Sequence, residues 1–126
     1  MAFNITEFGR PASYQPGDNI YEADQLVGST AIYFILDGEV DIIKKYTPLQ
    51  KEIFPHKKGD IFGMLEVYTG GPRVTDAIAT SMVQVVGFNR ADFEKAMIAN
   101  LGFAVLGIRV LSRMLRQMND TIKKIG

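Results

Sequence analysis

Residues 62–75, "FGMLEVYTGGPRVT", decide the fold prediction because they join a Gly-Gly-Pro turn to a lone arginine. Gly70 and Gly71 carry no Cβ, so the backbone there can approach a bound group closely, and Pro72 fixes the turn. Backbone N–H groups beside a guanidinium are compact donors that suit an anion. The stretch therefore predicts a tight glycine turn beside a lone arginine, and it leaves open whether Arg73 faces an anion or pairs with an acid of the chain.

The segments around this loop carry the signals of β-strands. From residue 11 to about 88, short apolar runs alternate with turn residues, and no long helix separates them. In "TAIYFILDGEVDIIKKY" (30–46), Asp37-Gly38 lies between two apolar runs, and it predicts a hairpin because this pair accepts positive φ. The spacing as a whole predicts an antiparallel sandwich or barrel.

The periodicity changes after Asn89, which is a suitable N-cap for a short helix over 90–99. A second, longer helix is expected from Asn100 or Leu101 onward. Along it, apolar residues recur at alternating steps of four and three, which is a heptad pattern. This stripe consists of Ala104, Ile108, Leu111, Leu115, Met118, Ile122 and Ile125.

We expect the stripe to form a homodimer interface, because at about 1.5 Å per residue the helix is too long for a small barrel to cover. The interface residues expected are Ile108, Leu111, Leu115, Met118 and Ile122. A second apolar set remains for the barrel itself, namely Phe103, Leu106, Val110 and Met114. The alternative is that the stripe also packs only on its own barrel. Gly102 and Gly107 are expected to mark a bend or a close approach near the helix start.

The composition indicates one globular domain, with 126 residues of which 47% are hydrophobic and 22% charged. The 14 basic residues balance 14 acidic ones, so no basic surplus attracts nucleic acid. The absence of cysteine excludes disulfides and fits a reducing compartment. The N-terminus lacks a signal-peptide pattern, and no apolar run approaches the roughly 18 residues of a membrane span. A cytoplasmic protein without nucleic-acid or membrane partners is expected.

Enzymatic activity is not expected, because the residue types that catalysis needs are scarce. Nucleophilic triads, and the metal centres of barrel enzymes such as the cupins, need histidines or cysteine in combination. The sequence has one histidine, His56, between Pro55 and two lysines. We expect His56 to be a surface residue in a turn, and we assign no catalytic residue, metal ligand or cofactor.

Four segments, in order and at sensible spacing, resemble the cyclic-nucleotide-binding domain of catabolite-activator-type regulators, protein kinase A regulatory subunits and cyclic-nucleotide-gated channels. They are "YFILDGEVDI" (33–42), "KKGDIFG" (57–63), "TGGPRVT" (69–75) and "GFNRADFEKAM" (87–97). The resemblance implies a mainly β fold: an antiparallel jelly-roll (double-stranded β-helix) barrel with a short N-terminal helical segment and C-terminal helices, the last one long. It implies a single domain over 1–126, with the β-roll at 10–88, a phosphate-binding cassette at 62–75 and the helices at 89–126.

The resemblance also implies a ligand, a 3′,5′-cyclic nucleotide whose phosphate pairs with Arg73. The ligand-binding residues implied are Phe62, Gly63, Met64, Leu65, Gly70, Gly71, Pro72, Arg73, Val74 and Thr75, with Asn119 of the long helix at the base. The alternative is structural: Arg73 pairs with a nearby acid, Glu66 or Asp76, and the glycines only make a turn.

The cassette departs from the family pattern at two positions. Nine residues before the arginine, the family has a glutamate that accepts from the ribose 2′-hydroxyl, and this chain has Met64. Glu66 is no obvious substitute, because two residues along a helix turn a side chain by about 200°. Val74 stands where a small residue is usual. A lost hydrogen bond to a charged group is worth about 1.5–3 kcal/mol, or about tenfold to hundredfold in affinity.

Two functions follow from the resemblance. In the first, the chain is a non-enzymatic sensor whose C-terminal helix moves when a cyclic nucleotide binds, with ribose recognition weakened at Met64. In the second, the pocket is degenerate and the domain is a ligand-free dimerisation scaffold. DNA binding is not expected, because the related regulators add a helix-turn-helix of about 70 residues after the long helix and this chain stops at Gly126.

Overall fold

The structure is a computed structural model that describes residues 3–125, without the side chain of Ile125. After a short 3-10 helix (Ile5–Glu7), the chain forms eight strands and three helices. The strands are β1 (Arg10–Tyr14), β2 (Asn19–Tyr21), β3 (Ile32–Asp37), β4 (Glu39–Thr47), β5 (Gln50–Lys57), β6 (Ile61–Phe62), β7 (Asp76–Ala79) and β8 (Val83–Phe88). The helices are α1 (Met64–Thr69), α2 (Arg90–Ala99) and α3 (Leu101–Ile125).

The strands form two four-stranded sheets with the orders β1-β8-β3-β6 and β2-β7-β4-β5. Every neighbouring pair is antiparallel. The chain crosses repeatedly between the sheets as in a jelly-roll, and among the described strands only the consecutive pair β4 and β5 shares a sheet. The predicted mainly β barrel followed by a long last helix is confirmed. One part of the core, around Ile35 and Phe54, fills the barrel. The other, around Phe88, Phe93 and Phe103, packs α2 and α3 onto it.

The predicted hairpin at Asp37-Gly38 is wrong, although the turn is where the sequence placed it. β3 pairs with β6 and β8, whereas β4 pairs with β5 and β7, so the chain crosses here from one sheet to the other. Gly38 has φ of 93°, and a Cβ at this residue would collide with the backbone carbonyl of Met82. The dipeptide therefore signals a sharp corner, but the strands that pair are selected by contacts distant in sequence.

The prediction that His56 lies at the surface is also wrong. In β5, alternate residues Glu52, Phe54 and His56 are buried, and His56 is only 2% exposed. The strand lies at the edge of its sheet, where a proline is tolerated because its missing N–H is not needed for pairing. Pro55 therefore does not end the strand, and the period-2 alternation of β5 turns His56 inward.

The helices begin where the sequence predicts. The Asn89 side chain accepts a hydrogen bond from the Asp92 N–H at 2.8 Å, which caps α2. Asn100 separates the two helices, and its side chain accepts from the Phe103 N–H at 3.0 Å. On α3, the set predicted to serve the barrel does so: Phe103 and Val110 are buried, and Leu106 and Met114 pack against the core.

Among residues 3–125, no single helix is both long and apolar enough to cross a membrane. Only α2 and α3 taken together pass such a test of length and composition, and they are bent by 119° at their junction.

Candidate ligand-binding site

A cavity of about 170 Å³ lies where the barrel mouth, α1 and α3 meet. From the barrel and cassette it is lined by Tyr21, Ile42, Ile61, Phe62, Gly63, Met64, Leu65, Glu66 and Thr75. From α3 it is lined by Val110, Leu111, Met114, Leu115 and Met118. Ligand pockets commonly have about 300–1,000 Å³, so α3 leaves too little room here for a nucleotide or nucleoside.

Arg73 is buried beside this cavity, with 2% of its surface exposed. Its Nη1 donates to the Gly63 carbonyl and to Oε1 of Glu66, both at 2.8 Å, and Nη2 donates to the Ala31 carbonyl at 2.6 Å. Gly63 has φ of 91°, and a Cβ there would lie 3.2 Å from Nη1 of Arg73. Glycine at this position thus makes room for the guanidinium.

The ring of Tyr21 stacks against the guanidinium of Arg73. The Arg73 Cζ lies 3.9 Å from the centroid of the Tyr21 ring, within the range of a cation–π contact. Burial raises the pKa of Tyr21, and the positive charge of Arg73 opposes that rise only in part. Tyr21 therefore remains neutral near pH 7 and acts as a stacking surface.

Glu66 is the acid that pairs with Arg73, as in the structural alternative weighed from the sequence. The Glu66 side chain is 3% exposed and the Arg73 side chain 2%. The other acid considered, Asp76, instead accepts from the Ala23 N–H at 2.8 Å and pairs with Lys45 at 3.1 Å. The guanidinium is therefore already bound to an anion of the chain itself.

Met64 and Glu66 lie two residues apart on α1, and their side chains contact different partners, as the helical offset between them predicts. It is 6% exposed, and it packs against α3 at Gly107, where a Cβ would lie 3.1 Å from the Met64 sulfur. This is the close approach that the glycine predicted. The position that carries the ribose acceptor in the resemblance therefore holds a packing side chain.

The Gly-Gly-Pro turn lies at the surface rather than in the cavity. Gly70 and Gly71 have φ of 81° and 87°, and a Cβ on either would meet no atom within 4 Å. Of the predicted ligand-binding residues, five line the cavity: Phe62, Gly63, Met64, Leu65 and Thr75. The cavity lining does not include Gly70, Gly71, Pro72, Arg73, Val74 or Asn119.

Some of these other residues share an open groove on a different side of the cassette. Gly70, Pro72, Arg73 and Val74 border this groove together with Lys44 and Lys45. Asn119 lies on the exposed side of α3. The cassette residues are thus divided between two surfaces in this structure.

A polar cluster around Glu52 holds α3 against the β4–β5 hairpin. Gln117 donates to Glu52 Oε2 at 3.1 Å and to the Ile53 carbonyl at 2.9 Å. Thr121 donates to Glu52 Oε2 at 2.6 Å, and Tyr46 donates to Oε1 at 2.7 Å. We call Tyr46, Glu52, Gln117 and Thr121 the Glu52 cluster.

The Glu52 cluster changes the pKa of two of its members. Burial acts to raise the pKa of Glu52, but hydrogen bonds from Thr121, Tyr46 and Gln117 together outweigh it and leave this pKa below the ordinary value. Burial and the bond to Glu52 raise the pKa of Tyr46 to about 12. The cluster is therefore charged at Glu52 and neutral at Tyr46 near pH 7. No sequence pattern indicates this cluster, because its members are distant in the chain.

The predicted dimer stripe on α3 is divided between two environments. Ile108, Leu115 and Ile122 are 64%, 67% and 62% exposed. Leu111 and Met118 are partly buried and pack against the core of their own chain. The outer half of the stripe is thus available to a partner, although Leu115 also contributes to the cavity lining, whereas the inner half serves the barrel.

The fold and the cassette define a class of protein, and residues 11–100 match the family described as "Cyclic nucleotide-binding domain". The chain belongs to this family. Membership of this family supports a regulatory ligand-binding role.

Three relatives illustrate the match. The cAMP-dependent protein kinase regulatory subunit of Hypocrea atroviridis is 31% identical over 85 residues, which are 67% of this chain and 17% of that subunit. The regulatory subunit of a cAMP-independent protein kinase A from Trypanosoma brucei is 26% identical, with a TM-score of 0.68 over 97% of this chain and 43% of that one. The corresponding Trypanosoma cruzi subunit, bound to guanosine, is 25% identical, with a TM-score of 0.59 over 69% of this chain and 30% of that one.

The Trypanosoma brucei subunit has also been solved as a mutant bound to cAMP in its A site. In this mutant a glutamate becomes alanine, the threonine seven positions later becomes arginine, and the next valine becomes alanine. The chain spans less than half the length of each of these relatives.

Proposed function

We propose that this chain is a non-enzymatic sensor domain that binds a purine nucleoside or cyclic nucleotide in the cassette and signals through α3. The observation that carries the proposal is the shared cavity: α1, Thr75 and α3 line the same space next to Arg73. A molecule in that space necessarily contacts both the cassette and the helix.

The small size of the cavity links ligand binding to α3. The cavity has about 170 Å³, and Val110, Met114 and Met118 form part of its wall. A nucleoside needs more space than that. The α3 side of the wall is held by apolar packing, by the Glu52 cluster and by the Arg113–Asp60 pair at 3.2 Å. Binding therefore favours a state in which α3 has shifted, which is a population shift driven by the ligand.

The relatives support a purine ligand. One regulatory subunit is bound to guanosine, and a mutant of another is bound to cAMP. Glu66, Arg73 and Val74 have in this chain the same spacing as the three positions changed in that mutant. If the ligand is a cyclic nucleotide, we expect weak binding, because Met64 offers no carboxylate to the ribose hydroxyl.

The exposed half of the stripe supports a homodimer as the signalling unit, and we place the protein in the cytoplasm. Ile108, Leu115 and Ile122 are spaced by seven residues on the outer side of α3. A shift of α3 on ligand binding would move this surface, so that a ligand at the cassette changes the contact with the second copy.

Isothermal titration calorimetry with adenosine, guanosine, cAMP and cGMP tests the proposal. We expect heat from at least one ligand, and hydrogen exchange in residues 108–122 that changes when it binds. Thr75→Val should weaken that binding because Thr75 lines the cavity, whereas Thr69→Val, on the exposed side of α1, should not. No heat from any of the four ligands on folded protein would refute the sensor.

A further inference from the structure

The Glu66–Arg73 pair differs from the other ion pairs formed by the described residues. Both of its side chains are at most 3% exposed, whereas each of the other three pairs has a partner that is at least 52% exposed. A buried pair is retained only where each charge satisfies the other. Glu66 therefore neutralises Arg73 in the state described.

Glu66 also contributes to the lining of the ligand cavity, whereas Arg73 does not. Carboxylate and phosphate are recognised by a guanidinium in the same way, through charge-assisted N–H donors. A phosphate that entered the cavity would have to displace Glu66 from Arg73 or lie beside its negative charge. Both outcomes disfavour an anionic ligand.

The free oxygen of Glu66 offers a different kind of contact. Among the described hydrogen bonds, Oε1 accepts from Arg73 and Oε2 accepts from none. An ionised carboxylate accepts hydrogen bonds and donates none. A sugar hydroxyl is a donor and carries no charge, so it matches this oxygen where a phosphate does not.

We infer that Glu66 determines the ligand class of the site, excluding cyclic phosphates and selecting an uncharged purine nucleoside whose ribose donates a hydroxyl to it. This inference rests on the proposed sensor function and narrows its ligand. Glu66 occupies the place beside Arg73 that a ligand phosphate would otherwise take. Arg73 is then a positioning residue that holds Glu66.

The test compares binding of guanosine and adenosine with that of cAMP and cGMP, on wild type, Glu66→Gln and Glu66→Ala. Wild type should bind a nucleoside at least about tenfold more tightly than its cyclic nucleotide. Both variants should bind the cyclic nucleotide about tenfold to hundredfold more tightly than wild type and the nucleoside about tenfold less tightly. Glu94→Gln, which breaks the exposed pair with Arg90, should leave both affinities unchanged.

The tighter binding of cyclic nucleotides by the Glu66 variants should require Arg73, because these substitutions remove the carboxylate that pairs with its guanidinium. Glu66→Gln combined with Arg73→Met replaces the buried pair by neutral side chains of similar size, and it should bind cyclic nucleotides no better than wild type. This double variant remains informative if Glu66→Ala leaves Arg73 buried without a partner and fails to fold, and thermal unfolding of each variant shows which ones are folded.

Three results would overturn the inference. Wild type that binds a cyclic nucleotide as tightly as its nucleoside contradicts it and leaves the sensor intact. An unchanged ratio of nucleoside affinity to cyclic-nucleotide affinity in folded Glu66→Gln also contradicts the inference and leaves the sensor intact. If neither ligand class binds wild type or any folded variant, the sensor function itself fails, and the inference fails with it.

Discussion

Met64 of the cassette and Gly107 of α3 are in direct contact: a Cβ at Gly107 would lie 3.1 Å from the Met64 sulfur. The thioether therefore belongs to the interface between the cassette and the helix that we expect to move. The family's acidic residue at this position would face an apolar helix surface in this chain.

We expect Met64→Glu to destabilise the fold rather than to restore ribose recognition. The introduced carboxylate would be buried beside Gly107 and Leu111 without a cationic partner, which costs about 3–5 kcal/mol. Met64→Leu keeps volume and apolar character and should cost less than about 1.5 kcal/mol. Urea unfolding followed by circular dichroism measures both values. A Met64→Glu protein as stable as wild type would show that this side chain is free to leave the interface.

The contact of α3 with the β4–β5 hairpin should weaken in acid because of Glu52. The pKa of Glu52 is lower in the folded protein, so the unfolded chain binds its proton at higher pH. The stability that Glu52 provides is therefore complete above its ordinary pKa of about 4.3 and is lost as the pH falls through the lower, folded value.

Hydrogen exchange of residues 113–122 between pH 7 and pH 3 tests this prediction. Wild-type protection should fall below about pH 4.3, whereas Glu52→Gln should start with lower protection and change less over the same range. Glu39→Gln alters an exposed acid of the same hairpin and should behave as wild type. Equal acid dependence in the wild type and Glu52→Gln would assign the effect to other carboxylates.

His56 should make the barrel less stable in mild acid. Burial lowers its pKa, and the Phe54 carbonyl at 2.8 Å from Nδ1 and the charge of Asp60 counteract this only in part. Because the unfolded chain takes up the proton first, stability is highest above about pH 6.5 and declines as the pH falls toward the folded pKa.

The protein has one histidine, so a single imidazole Hε1 resonance in the proton NMR spectrum reports this titration directly. We expect its midpoint below about 6.5. Urea unfolding of His56→Leu should lose the decline between pH 7 and pH 5, because the substituted side chain takes up no proton. A midpoint at or above 6.5 in the folded protein would reverse the sign of the effect.

The features predicted correctly from the sequence are those that depend on residues close by in the chain. The cap at Asn89, the start of α3 and the apolar set at Phe103 and Val110 follow from local spacing, and all were predicted. The family resemblance added the jelly-roll topology. The cassette could be located in the same way, because its glycines and Arg73 lie within one short segment.

Sequence patterns mislead where the deciding contact comes from elsewhere in the chain. Asp37-Gly38 marks a turn, but β8 decides that β3 does not pair with β4. The inward position of His56 depends on the edge location of β5. The contacts of Arg73 with Ala31 and Tyr21 join residues more than forty positions apart, and no local pattern indicates them.

The outer half of the α3 stripe should hold two copies of the chain together, and Leu115 lies at its centre. Leu115→Asp places a charge at a side chain that is 67% exposed in the single chain, so it should leave folding nearly unchanged and break a dimer. Ile98→Asp introduces the same charge at an exposed apolar residue of α2, which is 86% exposed and off the stripe. Light scattering after size exclusion should give a dimer for wild type and Ile98→Asp, and a monomer for Leu115→Asp. If Leu115→Asp keeps the dimer mass, the copies meet elsewhere, and a monomeric wild type would mean that the stripe faces a different partner.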